Sequence, residues 1–454
     1  MRLARVLGTR ELLTIVVGSV IGSGIFLVPG TVLRQTGSVT AALVVWLAGG
    51  VLSLLGALTY AELGAMRPES GGLYVYIRDC FGRFTAFLFG WTIFFVVASG
   101  AVAALAVAFA AYLGQLVPLG PVGAKVAAIA MIAALAALNV RGTRESAHVQ
   151  NGMTVLKVLL VIVMSAVLLA LGTGGARPDD GTWAARPGGS VLAGAGLAMI
   201  GTLWAYEGWQ YVTYSAGEAR DPQRTLPRAL AIGTAGLIAL YLAANLAYLA
   251  ALGPAGVAGS ERVAADAVTT VIGPAAGSFV AAIILVSVFS AANGVTLTGS
   301  RVFYAMARDR LFFQRMATVH PRFGTPAFAV VACSAWAMLL AASGTFDQLL
   351  TYVVFTSWIF YGLGALAVVV YRIRLPDAPR PFRVPAYPLP PLLFVGAALA
   401  LVLNTMVTQP LRAALGLGVV LLGTPAYLVW RGRMSGVGTR ESGLGEEAGG
   451  SGAE

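Results

Sequence analysis

"VVGSVIGSGIFLVPG", residues Val16–Gly30, is apolar at both ends and poor in helix formers at its centre. Glycine costs about 1 kcal/mol relative to alanine in a helix interior. A hydrophobic span whose weakest segment, Gly22-Ser23-Gly24, sits at mid-depth predicts a helix interrupted there. Interruption frees backbone N–H and C=O groups that lipid cannot satisfy, so they must meet protein or a polar ligand. The half-helix that begins near Gly24 presents free amides and the positive end of its dipole, which suit a carboxylate. The half-helix that ends near Val20 presents free carbonyls, which suit an ammonium group. An α-amino acid carries both groups at that separation, and Ser23 adds a hydroxyl. The Gly18–Gly22 spacing alone would also fit close helix packing.

A second interruption tips the balance towards a site. "GLAMIGTLWAYEGWQYVTYSAGE", residues 196–218, carries Gly201, Gly208 and the acid Glu207 inside another apolar span. Two glycine-interrupted spans at matching places in two halves are the sequence signature of an inverted-repeat transporter.

Composition agrees. Of the 454 residues, 58% are hydrophobic and 11% charged, with mean hydropathy +0.82. Soluble domains carry about 25% charged residues. Apolar runs near the roughly 20 residues needed to cross a bilayer recur along the chain. No alternating segments of about 10 residues mark a transmembrane barrel. The expected fold is all-α and polytopic, with twelve spans at about 11–33, 39–66, 83–113, 121–141, 148–172, 191–217, 228–252, 272–306, 325–343, 345–371, 388–407 and 411–431. Residues 1–434 form one transmembrane domain: repeat one about 11–172, repeat two about 191–371, then two further helices. Residues 435–454, rich in Gly, Ser and Glu, read as a disordered tail.

The formal charge of +11 reflects topology rather than nucleic-acid binding. Most arginines cluster in alternate loops, as positive-inside bias expects. Clusters around Arg2/Arg5/Arg10, Arg67/Arg78/Arg83, Arg220/Arg224/Arg228, Arg301/Arg308/Arg310 and Arg372/Arg374/Arg380 share one side with the tail. The other side holds scattered residues such as Arg34, Arg177, Arg186, Arg262 and Arg412. Both termini are thereby expected in the cytoplasm. The first span is too long and lacks a cleavage site for a removable signal. Cys80 and Cys333 imply no external disulfide.

Lys157, in "NGMTVLKVLLVIVM", is one of only two lysines and lies inside the fifth span. Buried charge in a span is costly and usually functional, although a snorkelling lysine would also fit. Glu207 stands within the second interruption with no arginine near it in the same helix. It could carry a proton, contact a basic substrate or pair with the other interruption. Glu62 fits a structural partner of a loop arginine. Trp204, Tyr206, Trp209 and Tyr211 surround the second interruption, with Trp204 placed to cover a ligand. His148 and His320 fall at loops, and nothing has metal-ligand or nucleophile–base spacing. No enzyme activity, metal or cofactor is therefore expected. A channel would need a filter segment or charged ring, and none is present.

"GSVIGSGIF", "LWAYEGWQYVTYSAGEARDPQRTLPRAL", "ANGVTLTGSRVFYAMARDR" and "YRIRLPDAPRPFRVPAYPLPP" together resemble the amino acid–polyamine–organocation superfamily, and within it the L-amino acid transporter branch. The resemblance spans about residues 8–430. It implies a leucine-transporter-like fold: two inverted five-helix repeats with broken helices 1 and 6, plus two helices. It places substrate contacts on Val20, Ile21, Gly22, Ser23 and Gly24, and on Trp204, Ala205, Glu207, Gly208 and Tyr211. Trp204 takes the gate position, and Glu207 remains a coupling candidate. Lys157 matches a lysine that replaces a sodium ion, which implies sodium independence. The loop "GQLVPLGPVGAK" lacks the cysteine that links a heavy chain in eukaryotic members, implying a stand-alone protein of a bacterial inner membrane. The third span, residues 84–113, holds no acid, which favours exchange of L-amino acids by alternating access. Proton-coupled symport is the alternative within the class, and an amino acid sensor lies outside it. Selectivity is expected from other spans, through residues such as Asn293 or Ser357. A large neutral side chain is favoured, with polyamine or basic amino acid behind it.

Overall fold

The computed structural model describes residue 3 and residues 5–173, 191–344 and 346–446. Arg2, Arg177, Arg186 and the tail beyond 446 lie outside them. Fourteen helices carry the described chain: α1 (Thr9–Val20), α2 (Gly24–Thr36), α3 (Val39–Met66), α4 (Leu73–Leu116), α5 (Pro121–Arg141), α6 (Thr143–Leu171), α7 (Val191–Ala205), α8 (Pro222–Gly259), α9 (Val263–Ile272), α10 (Pro274–Arg308), α11 (Ala327–Ser343), α12 (Phe346–Arg374), α13 (Leu389–Thr408) and α14 (Pro410–Glu446). Among the described residues no strand forms; a single parallel bridge joins Leu7 to Ala219.

Nine of these helices are long and apolar enough to cross a membrane, and α1 with α2 makes ten as one span bent by 43°. The sequence counts twelve. The difference lies in the sixth, which stops at Ala205, and in the ninth, where α11 has 17 residues. At about 1.5 Å per residue such a helix falls a little short of the hydrocarbon thickness. Helix α14 is described as far as Glu446.

The helices sort by how much of each is covered. The most apolar window of α4 is 78% buried and that of α12 is 67% buried, against 22% for α5 and for α14. Leu392, Leu393, Leu399 and Leu403 of α13, and Leu421 and Leu422 of α14, are exposed. That outward apolar surface suits lipid, while α4, α10 and α12 form the interior. Helix α1 packs against α6, α8 and α10, and α2 packs against α7. The two interruptions thus lie side by side at the centre.

Several sequence features act as structural ties. Glu62 accepts from Arg372 Nε (2.9 Å) and Nη2 (2.7 Å) and from the Val384 amide (2.7 Å). The "RPFRVP" loop is thereby pinned to α3, as expected for a structural acid. Arg301, which the sequence groups with loop cations, is instead fully buried and paired with Glu218 at 2.7 Å. Its Nη2 also donates to Thr143 Oγ1 (2.7 Å), so α6, α10 and the segment after the second interruption meet there. The Leu7 amide donates to the Glu218 carbonyl (2.9 Å), and the Arg220 amide to the Leu7 carbonyl (2.7 Å).

Candidate functional site

Helix α1 ends where Ile21 leaves helical geometry (φ −72°, ψ 86°). Helix α2 restarts at Gly24, and the Ser23 carbonyl accepts from the Phe26 and Leu27 amides, each at 3.2 Å. The amides of Ser23, Gly24 and Ile25 precede the first amide that donates within the helix, so they are the free donors of a helix start. The Gly22 amide is not among them. It donates to the Val20 carbonyl (2.8 Å) and closes a tight turn. That carbonyl also accepts from Tyr241 Oη (3.1 Å). The Val20 carbonyl, expected to be free for an ammonium, thus uses both lone pairs inside the protein.

The second interruption covers 206–210, between α7 and the single turn Tyr211–Tyr214. Gly208 has φ +127°, a backbone state that favours glycine. A Cβ there would also fall 2.9 Å from the Ser19 carbonyl carbon. The two breaks touch: a Cβ on Gly24 would lie 2.5 Å from Ala205 Cα. Tyr241 of α8 joins them, its one hydroxyl proton shared between the Val20 (3.1 Å) and Ala205 (3.0 Å) carbonyls. The Trp204 carbonyl accepts the Glu207 amide (3.1 Å).

A cavity of about 20 Å³ lies between the breaks. Its lining includes seven of the expected residues: Val20, Gly22, Ser23, Gly24, Trp204, Glu207 and Tyr211. It holds about one water-sized group, so the walls must part to admit anything larger. Ile21, Ala205 and Gly208 do not line it. The Ile21 carbonyl is turned to Lys157, the Ala205 carbonyl to Tyr241, and Gly208 provides the close approach to Ser19. The aromatic cluster also divides. Tyr206 packs edge-on against Trp46 and close to Tyr241, and Trp209 against Tyr60 and Phe394, away from the cavity.

Lys157 is fully buried. Its Nζ donates to the Gly18 (2.6 Å), Ile21 (2.7 Å) and Ser287 (3.3 Å) carbonyls. These include orphan carbonyls at the end of α1, where the helix dipole favours a cation. The ammonium does not snorkel. Ser287 Oγ adds a bond to the Ile21 carbonyl (3.0 Å). Glu207 Oε1 accepts from Tyr361 Oη (2.5 Å) and Gln210 Nε2 (2.6 Å), and among the described residues no cation pairs with it.

Asn293 does not reach the cavity. It joins Asn139, Ser146 and Gln150 in a buried polar knot. Ser357 is buried but likewise outside the lining. The residues that sequence reasoning missed are Tyr241, Tyr361, Ser287 and Ser19. Each is a polar side chain in an ordinary apolar run, with no local signal to set it apart. Among the described residues no cluster of three His, Cys, Asp or Glu could hold a metal.

Comparison with known proteins agrees with this geometry. The chain is 32% identical over 428 residues to the serine/threonine exchanger SteT of Bacillus subtilis, covering 94% of this chain and 96% of that one. It is 32% identical over 402 residues to the b(0,+)-type amino acid transporter 1 of Mus musculus, covering 87% and 81%. It is 31% identical over 429 residues to the cystine/glutamate transporter of Homo sapiens, covering 92% and 84%. The amino acid permease family model matches residues 7–422, and the chain belongs to that family, within the amino acid–polyamine–organocation superfamily.

Proposed function

We propose that the chain exchanges L-amino acids across the plasma membrane by alternating access, without sodium. Twelve spans in two inverted five-helix repeats plus two helices carry the movement, with both termini in the cytoplasm. The observation that carries the proposal is that both helix interruptions open onto one cavity, the first with unused backbone amides. The amides of Ser23, Gly24 and Ile25 take the substrate carboxylate. The end of α7, which reaches the cavity at Trp204, takes its ammonium, with Trp204 as cover. Lys157 supplies the positive charge at the end of α1, which supports sodium independence. Relatives named as exchangers or transporters support exchange. Cys80 and Cys333 are both buried, which supports a protein that works without a disulfide-linked heavy chain.

Alternating access then follows from the packing. A substrate bridging α2 and the end of α7 stabilises the closed arrangement, and its binding energy offsets the parting of the walls on the other face. The test is uptake of labelled amino acids into sodium-free proteoliposomes, with and without unlabelled amino acid inside. Uptake that requires internal amino acid supports exchange. A second reading, proton-coupled symport, draws on Glu207, a buried carboxylate facing the cavity without a cation. Uptake into empty vesicles driven by an inward proton gradient would favour that reading instead.

A further inference from the structure

The wall that α4 gives to the cavity depends on an irregularity in that helix. Among the described residues, Ile93–Val97 is the only π-helical turn, set between two α-helical stretches. Resting on the transport reading above for what the cavity holds, we infer that this wide turn fixes which side chains of α4 face the cavity, and that Trp336 of α11 is the positioning residue that holds the turn.

The Ala98 amide donates to the Ile93 carbonyl five residues back, where an α-helix would bond four back. Such a turn absorbs one extra residue and changes the rotation of everything beyond it. The neighbours of α4 record that rotation. Before the turn, Phe89 packs edge-on against Tyr214, just past the second interruption, and Gly90 faces Met306 of α10. Beyond it, Ala101 and Leu105 line the cavity beside Tyr211, and Ala98 faces Gly299 of α10. At about 100° per residue, a plain α-helix would turn Ala101 about 120° from the line of Phe89, and Ala98 about 80° from that of Gly90. Absorbing one residue takes about 100° from each, which brings both pairs within about 20° of a common line. Without it, Gly100 and Ala104 would stand where Ala101 and Leu105 do. The cavity would then lose its bulkiest α4 side chain, for Leu105 Cδ2 lies 3.2 Å from where a Cβ on Gly22 would sit.

The turn itself, Ile-Phe-Phe-Val-Val, holds no glycine or proline to ask for irregular backbone. Its support comes from α11. Trp336 Nε1 donates to the Phe95 carbonyl (2.9 Å), inside the turn, and the two rings pack edge-on. One turn away along α11, Cys333 Sγ meets Ser99 Oγ at 3.2 Å, and that hydroxyl donates to the Phe94 carbonyl (2.6 Å). Side chains thus hold two successive carbonyls of the turn. The indole N–H is a donor with no acceptor role, so it pins one carbonyl and no other geometry serves it. An unpinned wide turn has no reason to sit at 93–97 rather than a turn earlier or later. Trp336 does not line the cavity, so it acts there only through α4.

The experiment labels the full chain in proteoliposomes with 2-aminoethyl methanethiosulfonate, in variants Leu105→Cys and Ala104→Cys. Cys80 and Cys333 are buried, and the chain without an added cysteine gives the background. Leu105→Cys should react at least tenfold faster than Ala104→Cys. Adding Trp336→Phe, which keeps a ring against Phe95 but removes the donor, should narrow that ratio to less than threefold. Deleting Val96 removes the absorbed residue and leaves both flanks in phase. The deletion should therefore keep the tenfold ratio by itself and restore it in Trp336→Phe. Equal reactivity at the two positions in the otherwise unaltered chain, or loss of the ratio on deleting Val96, would overturn the assignment of the turn. An unchanged ratio in Trp336→Phe would overturn the role of Trp336. A mixture of L-amino acids without cysteine should slow labelling of Leu105→Cys. Absence of that protection with the tenfold ratio intact would overturn the transport reading and support the assignment of the turn.

Discussion

The ammonium of Lys157 sits 2.6 Å from the Gly18 carbonyl, in α1 just before it breaks. Lysine and glycine are 139 residues apart, so this bond ties the end of one half-helix to a distant span. Lys157→Ala leaves the Gly18 carbonyl of α1 without its side-chain donor in a buried setting, at about 1–3 kcal/mol. Turnover in exchange assays should fall more than tenfold, while substrate affinity changes several-fold at most. Normal turnover in this variant would reduce the lysine to an anchor.

The same geometry predicts the ion requirement. Three carbonyls that could ligate a small cation already hold an ammonium. Replacing external sodium by choline should leave initial uptake rates unchanged. A sodium-dependent rate would show that the ammonium does not play this part.

Gly24 leaves no space for a side chain. Gly24→Ala would press a methyl group into the Ala205 backbone, which cannot move aside as a flexible side chain could. Exchange should drop at least tenfold with folded protein still recovered by size-exclusion chromatography. Wild-type rates would mean that the two breaks do not need this contact.

Tyr241 spans both interruptions through one hydroxyl. Tyr241→Phe keeps the ring against Trp46 and removes the shared hydroxyl donor. About 0.5–1.5 kcal/mol is the typical net worth of one such donor. Thermal unfolding in detergent should therefore shift down by a few degrees, and a variant that melts with the wild type would leave the bridge without energetic weight.

Arg301 and Glu218 are both almost wholly buried. Removing one partner of such a pair typically costs about 3–5 kcal/mol, whereas replacing both with apolar residues is often neutral. Arg301→Met alone should unfold more readily than the double variant Arg301→Met/Glu218→Leu. If the double variant is the less stable of the two, the pair contributes more than mutual neutralisation.

The breaks were legible in the sequence because two glycine-interrupted apolar runs stand at matching places in the chain, which helix packing alone does not call for. Gly22-Ser23-Gly24 and the segment around Glu207–Gly208 were located from that alone, and seven of the ten expected contacts line the cavity. What escaped was the use each backbone group is put to. The Val20 carbonyl lies at the expected break but is consumed by Gly22 and Tyr241. Pairings such as Tyr241 with Ala205, or Tyr361 with Glu207, depend on which helices become neighbours. Periodicity within one helix carries no information about that. Arg301 misled for a similar reason, because a cation near the end of a span looks alike whether it faces a loop or an acid across the bundle.

The bridge between Leu7 and Ala219 ties the segment ahead of α1 to a distant part of the chain. It is laced by two backbone bonds to the strip that leaves the second interruption, and Glu218 in that strip grips Arg301. A fluorophore attached at Arg5, an exposed residue, would ride on this strip. It would report rearrangement at the heart of the bundle from a position that a water-soluble quencher can reach.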